Sequence, residues 1–566
     1  MRVLSLLRKL SSSGVNAACR RRVFSRTFQR PLSTSLNLSN AGLKSIYPDV
    51  RPPLLPVTEF CFQNSEKYLD RPAVINGETG QKYTFAELKE AVSKVASGLS
   101  RRGFVPGDIM MLYLYNCPEF LIMFHAVLTL KGTISLANPL YKVEEMQQIL
   151  SMSKAKFMFT EQEIMHNAMA AGMLCGGQVK SIFLLGEDSH LPSFQNLLDD
   201  SGDAFPSLVT FDPLSDVALI PFTSGTTGTP KAIQISHYNL VANVCQLDRV
   251  DFFPEREGAV QLGVLPFYHM FAVFVNLVLG VAWGQTTVTM RRFEAQRFLH
   301  MMQDYQVSLL FGVPPMLLMM AKHPRLSDFD LRSLKRVLVG AAPISGETIK
   351  ALNDKLPGCA IGQVYGMSET PIIISISPLG DQDNSVGVVV PSTIAKFVNE
   401  GKNCSIGEKG ELWVKGPQVM IGYLDNAEAN AESFVQGGWF RTGDIGYIDE
   451  SGHLYIVDRL KEFLKYKGYQ IAPAELEHLL VSHPAVLDAG VTYVTDEAAG
   501  QLPKAYVKLQ PDFPINEQDL VDFVAKHVAP YKKLRGGVEI IDEIPKTPSG
   551  KILRRVLRDL ANKQVS

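Results

Sequence analysis

From residue 52 to 457 the chain alternates segments of helical spacing with short apolar runs of strand character, and this alternation restricts its fold more than any other feature. "TFAELKEAVSKVASGLSRRG" has helical periodicity and ends at a glycine, "DIMMLYLYN" reads as a buried strand, and "EFLIMFHAVLTLKG" is helical again. Further on, "SLKRVLVGAAPIS" puts a strand before a turn of small residues. Alternation of this kind predicts mostly parallel sheets covered by helices, an α/β fold. Beyond Asp458 the elements shorten to helix "PAELEHLLVSHP", strands "AGVTYV" and "KAYVKLQ", helix "EQDLVDFVAKHV" and strand "GVEIID". That tail reads as a separate, small α+β domain. With 566 residues the chain is too long for one core. We therefore expect a leading segment over 1–48, a large domain over 49–457 and a small one over 458–566.

The bulk properties exclude several classes. A net charge of −1 gives no reason to propose nucleic acid as a partner, since such proteins usually carry a strongly basic face. The longest apolar run, Met270 to Trp283, is interrupted by Asn276 and is too short to span a bilayer, so a buried helix is expected there. Seven cysteines, scattered and never in a C-x-x-C pair, argue against a disulfide framework or a zinc site and fit a reducing compartment. The near-neutral total hides an asymmetry: residues 1–48 hold nine Lys or Arg and no acid, which leaves −10 on the remainder. An Arg- and Ser-rich, acid-free start of this kind looks like a mitochondrial transit peptide, with "RVFS" at Arg22 to Ser25 resembling a matrix-protease site. A disordered basic tail on a cytoplasmic protein is the alternative. The chain ends "KQVS", not in a peroxisomal address of the S-K-L type.

Chemistry-bearing residues concentrate in a few stretches. "PFTSGTTGTPKAIQISH", residues 221–237, joins a strand-like run to a helical one through hydroxyls, glycines and one lysine. Backbone N–H groups, hydroxyls and an ammonium together suit a phosphate. Gly225, Gly228 and Lys231 do not satisfy the G-x-x-x-x-G-K-[ST] pattern, because Pro230 precedes the lysine and Ala232 follows it, so a Walker-type site is disfavoured. In "LPFYHMFA" His269 has aromatic neighbours and could equally be a packed core histidine. "GQVYGMSET" places Tyr365 and Glu369 around a glycine turn, leaving stacking, metal binding and a plain surface charge all open. "GWFRTGD" ends in Asp444. "DRLKEFLKYKGYQIAPAELE" crowds Arg459, Lys461, Lys465 and Lys467 together, as a basic helix face or a hinge would. "PKTPSGKILRR" sets Lys551 near the end of the chain.

"TSGTTGTPK", "YGMSET", "GWFRTGD", "DRLKEFLKYKGYQIAPAELE" and "PSGKILRR" occur in the order and separations of the adenylate-forming enzymes, which the chain resembles from about residue 50 to its end. Through "ANPLY", "LPFYH" and "LKYKGYQIAPAELE" it is most similar to 4-coumarate:CoA ligases and luciferase-like acyl-CoA synthetases. The resemblance implies two α/β subdomains and a distorted β-barrel in the large domain, a hinge at 458–461, and a mobile small domain. It also implies a reaction: ATP activates a hydrophobic carboxylic acid as acyl-AMP, releasing pyrophosphate, and coenzyme A then takes the acyl group. Roles follow by motif. Thr223, Ser224, Gly225, Thr226, Thr227 and Lys231 would hold the triphosphate, and Glu369 with Thr226 a Mg2+ ion. Gly340, Ala341, Ala342, Gln363, Tyr365, Gly366 and Ser368 would frame the AMP moiety, with Asp444 and Arg459 on the ribose. His269 would orient the carboxylate, Phe271, Met367 and Ile372 would line the acyl pocket, and Lys551 would bridge carboxylate and α-phosphate. Lys461 falls in the hinge, Lys465 and Gln470 reach the nucleotide or thioester site, and Arg292, Lys467 and Gly468 look like coenzyme A contacts. Ala232, Val364 and Ser368 depart from the commonest family residues, and none of these changes removes a charged group. Luciferase-like oxidation of the adenylate, transfer to a carrier protein, and a non-catalytic nucleotide or acyl binder are the alternatives. The acyl substrate and the oligomeric state are not legible.

Overall fold

The computed structural model describes residues 42–563 apart from 206–208, 224–229, 343, 382–384, 461, 468, 497–498, 512, 514 and 548–549. The segment read as a transit peptide, most of the glycine- and hydroxyl-rich loop (Ser224 to Gly228), Lys461 and Gly468 therefore lie outside the described residues, as does the side chain of Gln470.

Two parallel sheets carry the large domain. In one, Val217–Ile220, Thr133–Leu136, Ile109–Tyr113, Phe157–Glu161 and Ser181–Leu185 run parallel in that spatial order, and Lys231–Ser236 adds antiparallel to Val217–Ile220. In the other, Ala360–Tyr365, Arg336–Val339, Leu309–Gly312, Val260–Gly263, Thr286–Thr289 and Pro72–Asn76 are parallel neighbours. Ile109–Tyr113, Ser181–Leu185 and Leu309–Gly312 are near-continuous apolar runs, as strands covered on both faces are. The helix Phe85–Arg101 shows how locally they are specified. Thr84 and Glu87 close a capping box at its start, and Arg102 and Gly103 follow its end.

A curled antiparallel sheet completes the domain, ordered Leu43–Lys44, Ile394–Asn399, Gly410–Lys415, Trp439–Ile448, with Leu454–Arg459 paired to the last of these. This corrects the expected start of the fold at residue 49. Leu43 and Lys44 pair with Ala395 and Ile394, Leu43 is buried, and the Ser45 hydroxyl donates to the Val389 carbonyl at 2.7 Å. A two-residue strand beside a basic stretch carries no periodicity to read. At the other end, Asp458 and Arg459 are still strand residues of this sheet, paired with Ile445 and Asp444.

The main hydrophobic cluster runs from Leu43 to Leu454, and a second runs from Leu464 to Val538. The second belongs to the small domain, where the helix Pro473–Ser482 packs on the hairpin Val486–Asp496/Gly500–Leu509 and the helix Glu517–His527 packs on that helix and on Val538–Ile540. Two cores joined near residue 460 are what a hinged pair of domains requires.

The apolar run Met270 to Trp283 is the expected buried helix, with a π-helical middle over Val273–Leu279. Its polar interruption has a physical reason. Asn276 donates to Gln261 Oε1 at 3.0 Å, and Gln261 Nε2 donates to the Val275 carbonyl at 3.1 Å, which also accepts the π-type bond from Gly280 N–H. Gly280 makes room for that amide, since a Cβ there would lie 2.2 Å from Gln261 Nε2. Among the described residues no helix is long and apolar enough to cross a membrane.

Candidate active site

In open α/β sheets ligands gather beyond the carboxyl ends of the parallel strands. Here Asn138 follows Thr133–Leu136, Phe222 and Thr223 follow Val217–Ile220, His269 follows Val260–Gly263, Gly340 to Ala342 follow Arg336–Val339, and Tyr365 closes Ala360–Tyr365. Both sheets point these ends at one place. Two adjoining cavities open there, of about 1440 and 650 Å3, and Ala341, Val364, Gly366, Arg459 and Lys551 line both.

The smaller cavity is bounded by Thr223, Lys231, Tyr268, His269, Phe271, Met367, Ser368, Glu369, Ile372 and Tyr423. Lys231 and Thr223 face each other across a short antiparallel pair. Ala232, the departure beside this lysine, is buried, and its carbonyl accepts from Leu424 N–H at 2.8 Å. The Lys231 ammonium lies over the Tyr423 ring at 5.0 Å, and the Tyr423 hydroxyl donates to Glu369 Oε1 at 2.9 Å. Burial and the adjacent Glu369 carboxylate raise the Tyr423 pKa, so the phenol keeps its proton and remains a donor. One oxygen of the buried Glu369 carboxylate is thus fixed, and the residue lines the cavity.

Gly366 shows how tightly the loop around Glu369 is wound. A Cβ there would fall 1.4 Å from the Ile372 carbonyl oxygen, and Ile372 itself has a φ of +111°, unusual for a β-branched residue. Ala341 also adopts positive φ, at +70°. Strain of this kind persists where surrounding structure over-determines it, which marks functional loops.

The larger cavity holds the polar cluster. Tyr365 donates to Asp444 Oδ2 at 2.6 Å and Arg459 Nε to Asp444 Oδ1 at 3.1 Å. Gln363 is buried and donates to the Ser385 carbonyl at 2.9 Å. Ala342 lines this cavity alone. The Asp444 carboxylate and burial act in opposite directions on Arg459, and the carboxylate wins, holding its pKa above the ordinary value.

Lys551 comes from the small domain, in a turn closed by Thr547 N–H to the Lys551 carbonyl at 2.8 Å, and enters where the two cavities meet. Burial, then the Arg459 guanidinium, lowers its pKa against the opposing pull of Glu462, Asp444 and Glu369. His269 stands at the start of the Met270–Ala272 turn, its Nδ1 accepting from Phe271 N–H at 3.3 Å. Enclosure and the charge of Lys551 lower its pKa to about 4, so at neutral pH the ring is uncharged, and with Nδ1 accepting its one proton is on Nε2, which is a donor.

Among the described residues four expected contacts line neither cavity: Gly340, packed close to Val364 and Phe271, and Lys465, Lys467 and Arg292. Lys465 and Lys467 lie exposed on the hairpin Leu464–Tyr466/Tyr469–Ile471, with Lys467 beside the Tyr466 ring and the Lys465 N–H on Gln501. Arg292 is exposed, paired with Glu163 and laid over the Tyr115 ring at 4.2 Å. The small domain thus presents Lys551 inward and the Lys465 hairpin outward. Tyr423, Tyr268 and Asn138 are cavity residues that motif reading missed. Tyr423, in "GYLDN", carries no charge and is recognisable only through its contact with Glu369.

The fold and this site together define the adenylate-forming class of enzymes. The chain belongs to the AMP-binding enzyme family, whose model matches residues 61–424, and the AMP-binding enzyme C-terminal domain matches 475–551. It is 35% identical to a probable 4-coumarate–CoA ligase of Dictyostelium discoideum over 91% of this chain and 97% of that one. It is 37% identical to a 4-coumarate–CoA ligase of Humulus lupulus, over 91% and 96%. Among solved structures, ATP-bound MatB from Rhodopseudomonas palustris superposes with a TM-score of 0.81 at 26% identity, over 90% of this chain and 99% of that one. The o-succinylbenzoate CoA synthetase of Bacillus subtilis, bound to its acyl-adenylate intermediate, gives 0.76 at 28% identity, over 90% and 98%.

Proposed function

We propose that the protein is an ATP-dependent acid–CoA ligase that forms an acyl-adenylate and then a thioester. The observation that carries this reading is Lys551, an amine from the small domain lining both cavities at their junction. A carboxylate is a poor electrophile, because its charge is delocalised and its leaving group would be oxide. Attack of a carboxylate oxygen on the α-phosphorus of ATP expels pyrophosphate and converts that oxygen into part of an AMP leaving group. The coenzyme A thiolate then attacks the carbonyl carbon, and AMP departs. Negative charge gathers at the α-phosphate in the first step, so cations fixed in advance are the main catalytic resource.

In this reading the carboxylate lies by His269 with its acyl group against Phe271, Met367 and Ile372. The AMP moiety lies among Gly340, Ala341, Ala342, Gln363, Tyr365, Gly366 and Ser368, with Asp444 and Arg459 on the ribose. Lys231 and residues 223–227 take the β- and γ-phosphates. Among the described residues no cluster of three or more metal-ligating side chains surrounds the site. Mg2+ is commonly held by one or two carboxylates with phosphates and water, and Glu369, with Thr226, would hold it and help neutralise the phosphates. Arg292, Lys465, Lys467, Gly468 and Gln470 serve the second step, after a rotation of the small domain brings the Lys465 hairpin inward. With a hydrophobic acid and coenzyme A the products should be AMP and pyrophosphate; ADP with an acyl phosphate would overturn the reading.

The lowered pKa of Lys551 predicts a pH effect. Its ammonium is needed for adenylation and is lost on the alkaline side, at a pH below the ordinary lysine value of 10.5. ATP–pyrophosphate exchange should therefore decline below that value as pH rises, and a Lys551→Arg variant should lose this limb because a guanidinium keeps its proton. The acid-free, arginine-rich start supports mitochondrial import. Residues 1–40 fused to a fluorescent protein should reach mitochondria, and cytosolic fluorescence would refute it.

A further inference from the structure

The acid half of the site ends in a row of packed rings. We propose that this row restricts the enzyme to short-chain or single-ring carboxylic acids, with Phe311, behind Phe271, setting the limit. The inference rests on the ligase reading and narrows its substrate. Phe271 lies two residues beyond His269 on the same helical turn, so an acid whose carboxylate meets His269 directs its acyl group toward that ring. Phe271 is 3% exposed and stands edge-to-face on Phe311 at 6.0 Å. Phe311 packs on Phe253 at 6.2 Å, and Phe253 on Trp283 at 5.0 Å. Phe311 and Phe253 are buried and line neither cavity, and Val275, one turn further along the helix from Phe271, is fully buried. Among the described residues, the cavity stops at Phe271.

The wall is fixed from the other side too. A Cβ on Gly340 would lie 3.3 Å from Phe271 Cε1, so the ring already rests against the backbone at the end of Arg336–Val339. It cannot swing that way, and swinging the other way displaces Phe311, then Phe253. Interiors packed at crystal density do not open by turning one ring. Space is also shared. The cavity of about 650 Å3 is lined by Lys231, Glu369 and Arg459 as well as by the acyl-side residues, so phosphates and acid divide a volume ordinary for one drug-sized ligand.

Two consequences are measurable by ATP–pyrophosphate exchange with straight-chain acids from acetic to hexadecanoic, together with benzoic and cinnamic acids. Each methylene that fits should raise kcat/KM about fourfold, the equivalent of about 0.8 kcal/mol. The first that meets the plug should lower it by at least about tenfold. Hexadecanoic acid should be inert, the single-ring acids active. Phe311→Ala should move the break to longer acids. Because Phe311 is a core residue, Phe271→Ala is the second variant, expected to lengthen the accepted chain by itself. Hexadecanoic acid reacting as well as hexanoic, or a chain-length profile unmoved in a folded variant, would overturn the inference. If no acid of any length supports exchange, the ligase reading itself fails and takes this one with it.

Discussion

Lys551→Ala should lose acyl-adenylate formation by a factor of about 10²–10³, equivalent to about 3–4 kcal/mol of transition-state stabilisation, the usual cost of removing one preorganised charge-stabilising group. The protein should stay folded. Among the described residues the Lys551 ammonium has no hydrogen bond or ion pair, and burial lowers its pKa, so the free enzyme bears the cost of enclosing it. Removing it leaves no partner stranded. The variant should still convert supplied acyl-AMP and coenzyme A to the thioester at a near-normal rate, because in the proposed reading that step uses the other face of the small domain. The checks are ATP–pyrophosphate exchange for the first half-reaction and thioester formation from synthetic acyl-AMP for the second. Equal losses in both, from a folded variant, would contradict the division of labour between Lys551 and the Lys465 hairpin.

The α/β framework is legible because buried parallel strands are written as apolar runs, and "DIMMLYLYN" or "SLKRVLVG" admits little else. The curled sheet is harder to read. Along Trp439–Ile448 the inward positions are Phe440, Thr442, Asp444, Gly446 and Ile448, three of them not apolar, so the strict period of two is invisible in hydropathy. Yet that register is what buries Asp444 beside Tyr365 and Arg459. The charged residues of the site could be named one by one from their motifs. Their arrangement depends on contacts between distant segments, such as Tyr365 with Asp444 and Tyr423 with Glu369, which no local pattern encodes. Nor does sequence choose between domain orientations. Lys551 and Lys465 have equal claims on the site as residues, and only the packing of the small domain shows which of them faces it. The row of rings behind Phe271 was hidden for the same reason, since Phe253, Trp283 and Phe311 come from three separated segments.

Arg554→Met should act on both half-reactions, and through stability. Arg554 opens the helix Arg554–Lys563 three residues after Lys551, and its guanidinium is 14% exposed. Nε donates to Glu462 Oε2 at 2.8 Å, Nη2 to Glu477 Oε2 at 3.1 Å, and Nη1 to Glu477 and to the Val491 carbonyl. One side chain thus ties the Lys551 segment to the hinge-proximal Glu462, to the helix Pro473–Ser482 and to the hairpin strand Val486–Asp496. Burial acts to raise the Glu462 pKa and Arg554 more than offsets it, while the buried Asp458 carboxyl, also facing Arg554, is pushed up to about 6 by burial. Methionine fills similar volume but leaves these carboxylates without their cation, and breaking a buried pair from one side costs about 3–5 kcal/mol. Linkage sets the sign with pH. Without Arg554 the folded-state pKa of Asp458 should rise further above its unfolded value and that of Glu462 should lose most of its depression, so the stability lost at pH 7 is partly recovered as the pH falls through them. Urea unfolding of the small domain should show the loss at pH 7 and a smaller one at pH 5, with exchange and thioester formation both reduced. Wild-type stability at pH 7 would mean that the network carries no structural load and that Lys551 is positioned by its own turn.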